Sequence, residues 1–139
     1  MKDLQELIIA TNNSHKLFEF KSMFPDTWKL LSMKDIGFDQ TIEENGVSFE
    51  ANAMIKAKAV YDFCGKPCLA DDSGLVVPAI GGEPGIYSAR YAKLGATDAE
   101  NRLKLIQKLQ ETKLNMTPAY FACAIAFYSK STSHTVFET

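Results

Sequence analysis

A run of four residues with no polar side chain, Leu7-Ile8-Ile9-Ala10, places the strongest constraint on this chain. A strand with one face in water alternates apolar and polar residues; this one does not, so both of its faces need cover. It leads into Thr11-Asn12-Asn13-Ser14, a cluster of small polar residues. Leu17, Phe20 and Phe24 then recur at helical spacing, with Lys16 and Glu19 on the other side, until Pro25 stops the helix. A strand that turns into a helix through such residues leaves backbone N–H groups that suit a phosphate, and Lys16 adds a cation in the first turn. The same residues also make an ordinary capping loop with a solvated lysine, and this stretch alone does not separate the two.

A chain of 139 residues, 46% hydrophobic and 23% charged, is long enough for one domain, 1–139, with a real core. Its formal net charge of −2 comes without a basic stripe, which argues against nucleic-acid binding through phosphate neutralisation. The 3 cysteines, Cys64, Cys68 and Cys123, lack Cys-x-x-Cys spacing and read as buried thiols of a reducing compartment, with neither zinc nor disulfide. No segment is apolar for long enough to span a bilayer or serve as a secretory signal, so the expectation is a cytoplasmic protein without membrane contact.

Further along, Trp28 to Ser32 reads as a second strand and Lys34 to Thr41 as loop. Glu43-Glu44-Asn45-Gly46 sets two carboxylates before a turn. Ser48 is placed to cap a helix running to about Phe63, with Phe49, Ala53, Ala57 and Val60 as its apolar stripe. Asn52 and Lys56, four apart, share one side of that helix, where they either reach a ligand or face solvent. Thr97-Asp98-Ala99-Glu100 matches a capping box, and Leu103, Ile106 and Leu109 carry a structural helix to about Thr112. Ala119 to Tyr128 alternates bulky Phe121, Cys123, Ile125 and Phe127 with small Ala122, Ala124 and Ala126, a strand whose small face admits close approach. A turn over Lys130 to Ser133 starts a return strand at His134, which is expected to be exposed; the strand reaches Glu138 and the sequence stops at Thr139. Such an ending leads us to expect a C-terminally incomplete version of the fold.

The centre of the chain, Cys68 to Ala92, concentrates the chemistry. An apolar run, Cys68-Leu69-Ala70, meets two adjacent carboxylates, Asp71 and Asp72, and Ser73-Gly74 are expected to break the strand there. Neighbouring side chains of an extended segment point to opposite faces, so the two aspartates should do different jobs: one reaches into a cleft, the other accepts backbone bonds in the turn. Gly81-Gly82, Pro84 and Gly85 mark tight backbone, and Arg90 supplies a cation that either meets phosphate or braces the loop through a carboxylate. Asp-Asp-Ser-Gly is also common turn vocabulary, so its accompaniments decide its meaning.

Three blocks supply them: Ala10-Thr11-Asn12-Asn13 through Lys16 and Glu19; Glu43-Glu44-x-Gly46 through Phe49, Glu50-Ala51-Asn52-Ala53 and Lys56-Ala57; and Ala70-Asp71-Asp72-Ser73-Gly74-Leu75 through Gly82-x-Pro84-Gly85-x-Tyr87-Ser88-Ala89-Arg90-Tyr91. In this order they resemble the inosine triphosphate pyrophosphatase family, whose members remove non-standard purine nucleotides. The resemblance runs from Leu7 to about Phe127. It implies an α/β fold, an elongated and twisted mixed sheet flanked by helices, in two lobes with a central cleft and with the C-terminal portion missing. It also implies magnesium-dependent hydrolysis of the purine nucleoside triphosphates ITP, dITP and XTP to the monophosphate and pyrophosphate, by a homodimer when full length. By position, Asp72 becomes the general base and a metal ligand, with Glu43 or Glu44 as the second ligand. Thr11, Asn12, Asn13, Ser14, His15, Lys16, Lys56 and Ser73 become substrate contacts, with Arg90 a possible addition. That chemistry agrees with the residue types: a carboxylate to activate water, a hard cation on oxygen ligands, and cations for phosphate charge.

The family's Gly-Phe-Gly-Tyr-Asp-Pro and Ser-His-Arg segments, which read the base, have no counterpart here, and the first loop carries Asn12 where many relatives have glycine. A non-catalytic nucleotide- or phosphate-binding module, or an inactive fragment, is the alternative. The expectation for this chain is therefore little or no discrimination among purine nucleotides. Comparing pyrophosphate release from inosine and adenosine triphosphates checks it, and marked selectivity for inosine would contradict it.

Overall fold

The computed structural model of the chain describes residues 3–139, and in it the apolar run becomes an interior strand. Strand β1, Gln5–Ile9, lies between β2, Trp28–Ser32, and β3, Cys68–Val76, and is parallel to both. The register places Leu7 opposite Leu30, and Ile8 and Ile9 opposite Cys68 and Leu69. Strands β4, Tyr120–Tyr128, and β5, Ser133–Glu138, complete a mixed five-stranded sheet in the order β2-β1-β3-β4-β5, flanked by helices. This is the α/β architecture expected. Backbone contacts divide the chain into two compact units, one reaching Asp71 and resuming over Ala124–Val136, the other made of Asp72–Cys123 and Phe137–Thr139.

In the first unit, alternation along β1 sends Leu7 and Ile9 to one face, where they bury with Leu30. Helix α1, Ser14–Met23, covers this face with Leu17 and Phe20, and Phe24 and Trp28 close it edge to face with ring centroids 5.9 Å apart. Helix α2, Phe49–Cys64, starts where Ser48 Oγ accepts the Ala51 N–H at 3.0 Å and ends at Gly65. Its expected stripe of Phe49, Ala53, Ala57 and Val60 is buried. Tyr61 of α2 meets Tyr128 of β4 with ring centroids 5.0 Å apart. Ala124 and Ala126 share Tyr128's face of the strand and, like Ala53 and Ala57 on the helix, are 0% exposed. His134, on β5, is exposed, as expected.

In the second unit, a 3-10 turn over Pro78–Ile80 passes through Gly81 and Gly82, both at positive φ (72° and 85°), into a second 3-10 segment, Gly85–Arg90. Positive φ is strained for residues with a Cβ, which accounts for the paired glycines. Helix α3, Asp98–Glu111, carries the expected capping box between Thr97 and Glu100.

One expectation needs correction. Ser73 and Gly74 do not break β3, which runs on to Val76. β1 pairs with β3 only at Cys68 and Leu69, so beyond them the neighbour in the sheet is β4, and sheet pairing overrides the weak local preference of Ser and Gly. Helix α3 forms where expected, with Leu103 57% and Ile106 51% exposed. The helix packs through polar groups, with Asn101 bonded to Ala89 and Ala92 and Lys104 donating to the Tyr91 carbonyl at 2.8 Å.

The alanine face of β4 should tolerate no added volume. Ala126→Leu is expected to lower stability by about 1–3 kcal/mol in urea unfolding. Phe121→Leu, at a position 73% exposed, should stay within about 0.5 kcal/mol of the parent. Equal midpoints for the two variants would contradict the packing described.

Candidate functional site

The backbone leaving β1 is fixed by short-range bonds before any helix begins. Ala10 N–H donates to Leu69 O at 2.7 Å, Thr11 N–H turns back to Ile9 O at 2.9 Å, and Asn13 N–H reaches Thr11 Oγ1 at 3.1 Å. Asn13 Oδ1 then accepts the N–H groups of His15 (3.0 Å) and Lys16 (3.2 Å), capping α1. Two of the N–H groups that a phosphate would have used are therefore taken by the cap, so for these two the capping reading holds. Thr11 and Asn12 line a polar cavity of about 390 Å3, shared with Ala10, Met33, Glu44 and Lys56. Asn12, Asn13 and Ser14 also line a neighbouring recess of about 210 Å3. The His15 side chain lines neither.

Lys16 leans from the first turn of α1 onto β3. Its ammonium donates to Asp71 Oδ2 at 2.6 Å, and the Asp71 side chain is only 6% exposed. The sequence reading assigns backbone bonds in a turn to one of the two aspartates without saying which; Asp71 is a strand residue holding a cation. Because β3 continues past it, no turn exists there for its carboxylate to serve. Taking a carboxylate out of water requires a partner, and Lys16 is one.

Glu44 and Lys56 form the second pair, at 3.2 Å, both side chains more than two-thirds buried (27% and 18% exposed). Lys56 stands on α2 one turn beyond Asn52, on the side the sequence identified. Glu44 lines the cavity, whereas Glu43 is exposed and is not among its lining residues. Asp39, Gln40, Thr41 and Ile42 complete the wall, so the cavity offers oxygen donors and one ammonium, with neither thiol nor imidazole. That donor set suits a hard cation. Among the described residues no three His, Cys, Asp or Glu side chains gather as a metal cage, but magnesium takes only one or two carboxylates and fills its shell with water and substrate oxygens.

In the second unit, Asp72 and Ser73 continue β3, both half-buried, and Gly74 is buried beside them. Ser88 fixes the following turn to the strand: its Oγ accepts the Leu75 N–H at 3.0 Å and donates to Gly85 O at 2.6 Å. The Arg90 guanidinium lies 5.2 Å from the centre of the Tyr87 ring, a cation–π contact that the sequence reading did not include. Burial, then a bond to Glu83, pushes the Tyr91 hydroxyl up to about 12, so it stays a neutral donor. Burial also pushes up the Cys68 thiol at the start of β3, which leaves it a packing residue rather than a nucleophile at neutral pH.

Sequence reasoning missed the Asp39–Thr41 wall and the tie between Asn52 and Gly46. Loop residues carry no periodicity, so nothing in Lys34 to Thr41 marked them as lining a site. The signal for Asn52 was available: it lies on the same helical face as buried Phe49 and Ala53, where a polar residue needs a reason.

Comparison with known proteins identifies the family. The model of the Ham1 family matches residues 7–139. A dITP/XTP pyrophosphatase of Legionella pneumophila (strain Lens) is 44% identical over 123 residues, covering 88% of this chain and 62% of its own length. A dITP/XTP pyrophosphatase of Bacillus licheniformis is 45% identical over 124 residues, with 88% and 63% covered. Among solved structures, the Staphylococcus aureus Ham1 protein superposes with a TM-score of 0.81 at 40% identity, over 96% of this chain and 67% of that one. A HAM1 protein from Coxiella burnetii gives 0.87 at 34% identity, over 96% and 70%. The chain thus spans 62% and 63% of the length of the two curated relatives described. On the match over residues 7–139 and these identities, the chain belongs to the Ham1 family.

Proposed function

We propose that the chain carries the phosphate-binding, metal-binding and water-activating parts of a magnesium-dependent pyrophosphatase acting on non-standard purine nucleoside triphosphates, ITP, dITP and XTP. The observation that carries this reading is the cavity of about 390 Å3 in which the Thr11-Asn12 turn, Glu44 and Lys56 meet. The named activity of the relatives, dITP/XTP pyrophosphatase, supplies the substrate class. A homodimeric, cytoplasmic protein belongs to the same proposal; among the described residues no helix is long and apolar enough to cross a membrane.

Thr11 and Asn12, with Asn13, Ser14, His15 and Lys16 behind them, would cradle the triphosphate, Ser73 would contact it, and Lys56 would neutralise part of its charge. Arg90 would serve the same charge or brace its own turn. Glu44, rather than the exposed Glu43, would hold magnesium together with Asp72; the bound ion would supply charge neutralisation at the phosphates. Asp72 would orient a water and take its proton as the water oxygen bonds to the α-phosphorus. The bond from that phosphorus to the bridging oxygen breaks, and pyrophosphate leaves with the electron pair. Positioning and charge stabilisation would supply most of the rate.

Pyrophosphate release from inosine triphosphate with magnesium tests the assignment. Asp72→Asn should lower kcat by about 10²–10⁴. Glu44→Gln should raise the magnesium requirement about tenfold or more, while Glu43→Gln stays near the parent. Undiminished turnover in Asp72→Asn would remove the base. Magnesium-dependent nucleotide binding without turnover in the parent chain would favour the binding-module reading.

A further inference from the structure

The segment that carries Glu44 is fastened to α2 by one buried amide. Asn52, 0% exposed in the first turn of the helix, accepts the Gly46 N–H through Oδ1 at 2.8 Å. Gly46 comes so close that a Cβ there would meet Asn52 Oδ1 at 2.7 Å and the Ala51 methyl at 2.8 Å. Only glycine fits such an approach without displacing its neighbours. The other half of the amide, Nδ2, is buried and makes no hydrogen bond among the described residues. A buried donor in that state costs stability; an apolar residue of similar size would avoid that cost but would leave the Gly46 N–H without its acceptor. The amide therefore contributes chiefly through the bond that holds Gly46. Lys56, one turn further along, pairs with Glu44 at 3.2 Å. The segment between is held at both ends, Gly46 by Asn52 and Glu44 by Lys56.

We infer that Asn52 is a positioning residue: its Oδ1 clasps the Gly46 N–H and so holds the Glu44 carboxylate at the cavity beside Lys56. The clasp stands on geometry alone, while its consequence for magnesium rests on the role proposed above for Glu44. A partner that orients a metal ligand acts on affinity without touching the metal.

The test compares the parent chain with Asn52→Leu, Gly46→Ala and Glu44→Gln by three readouts: urea unfolding, hydrogen exchange of the Gly46 amide, and calorimetric titration with magnesium chloride. Asn52→Leu is expected to unfold at a urea concentration close to the parent's, because losing the buried Nδ2 offsets losing the bond to the Gly46 N–H. Its Gly46 amide should exchange about tenfold faster or more, through loss of local protection. Its magnesium affinity should fall about tenfold or more. Gly46→Ala, which puts a methyl group against Oδ1, should reproduce the weaker magnesium binding, and it supplies the answer should Asn52→Leu fail to fold. Glu44→Gln should weaken magnesium binding about tenfold or more while Gly46 exchange stays unchanged. Unchanged Gly46 exchange in a folded Asn52→Leu overturns the clasp. Faster exchange with parental magnesium affinity overturns the positioning role. A parent chain that takes up no magnesium overturns the metal role of Glu44, and Gly46 exchange still decides the clasp.

Discussion

Parallel pairing of β1 with β2 and β3 decides which end of the sheet carries the chemistry. Parallel strands bring their carboxyl ends to the same edge, and in open α/β sheets the loops leaving that edge build the ligand site. Here the cavity begins where those strands stop: Ala10 and Thr11 follow β1, and Met33 follows β2. The sheet can be built this way only because Leu7, Ile8 and Ile9 tolerate burial on both faces. A polar residue at any of the three would have to be buried there unsatisfied.

The two lysines nearest this edge are both engaged, but differently. Lys16 holds Asp71, whose side chain is 6% exposed, so removing the ammonium would strand a charge away from water. Lys56 holds Glu44, whose side chain is 27% exposed and borders the cavity. Water reaches this second carboxylate, so exchanging its ammonium partner for a metal cation is less costly. The first pair ties α1 to β3, and the carboxylate of the second is the more accessible of the two. Asn52 adds a neutral anchor that keeps the Glu44 segment in place when its charge partner changes.

Much of this was legible because several elements state their environment locally. Ser48, Thr97 and Pro25 mark helix boundaries by their own chemistry, and the alanines of β4 announce a face that only close packing can use. The misreadings share one cause. Ser73-Gly74 was read by local preference, yet pairing in the sheet held it extended, and the turn expected to take one aspartate's bonds did not form. Tertiary partners set both outcomes, and a single sequence does not display them. The pairing of Lys16 with Asp71 spans 55 residues and was invisible for the same reason. What remained readable at long range came through the three motif blocks, whose order carries family likeness rather than physics.

Whether the cavity at the β1 edge receives the triphosphate is the question on which the functional account turns. A crystal structure of the chain with magnesium and a non-hydrolysable inosine triphosphate analogue answers it most directly. The account predicts phosphate density against Thr11, Asn12 and Lys56, with the ion on Glu44. Phosphates and ion bound elsewhere, with the Glu44–Lys56 pair undisturbed, would contradict it.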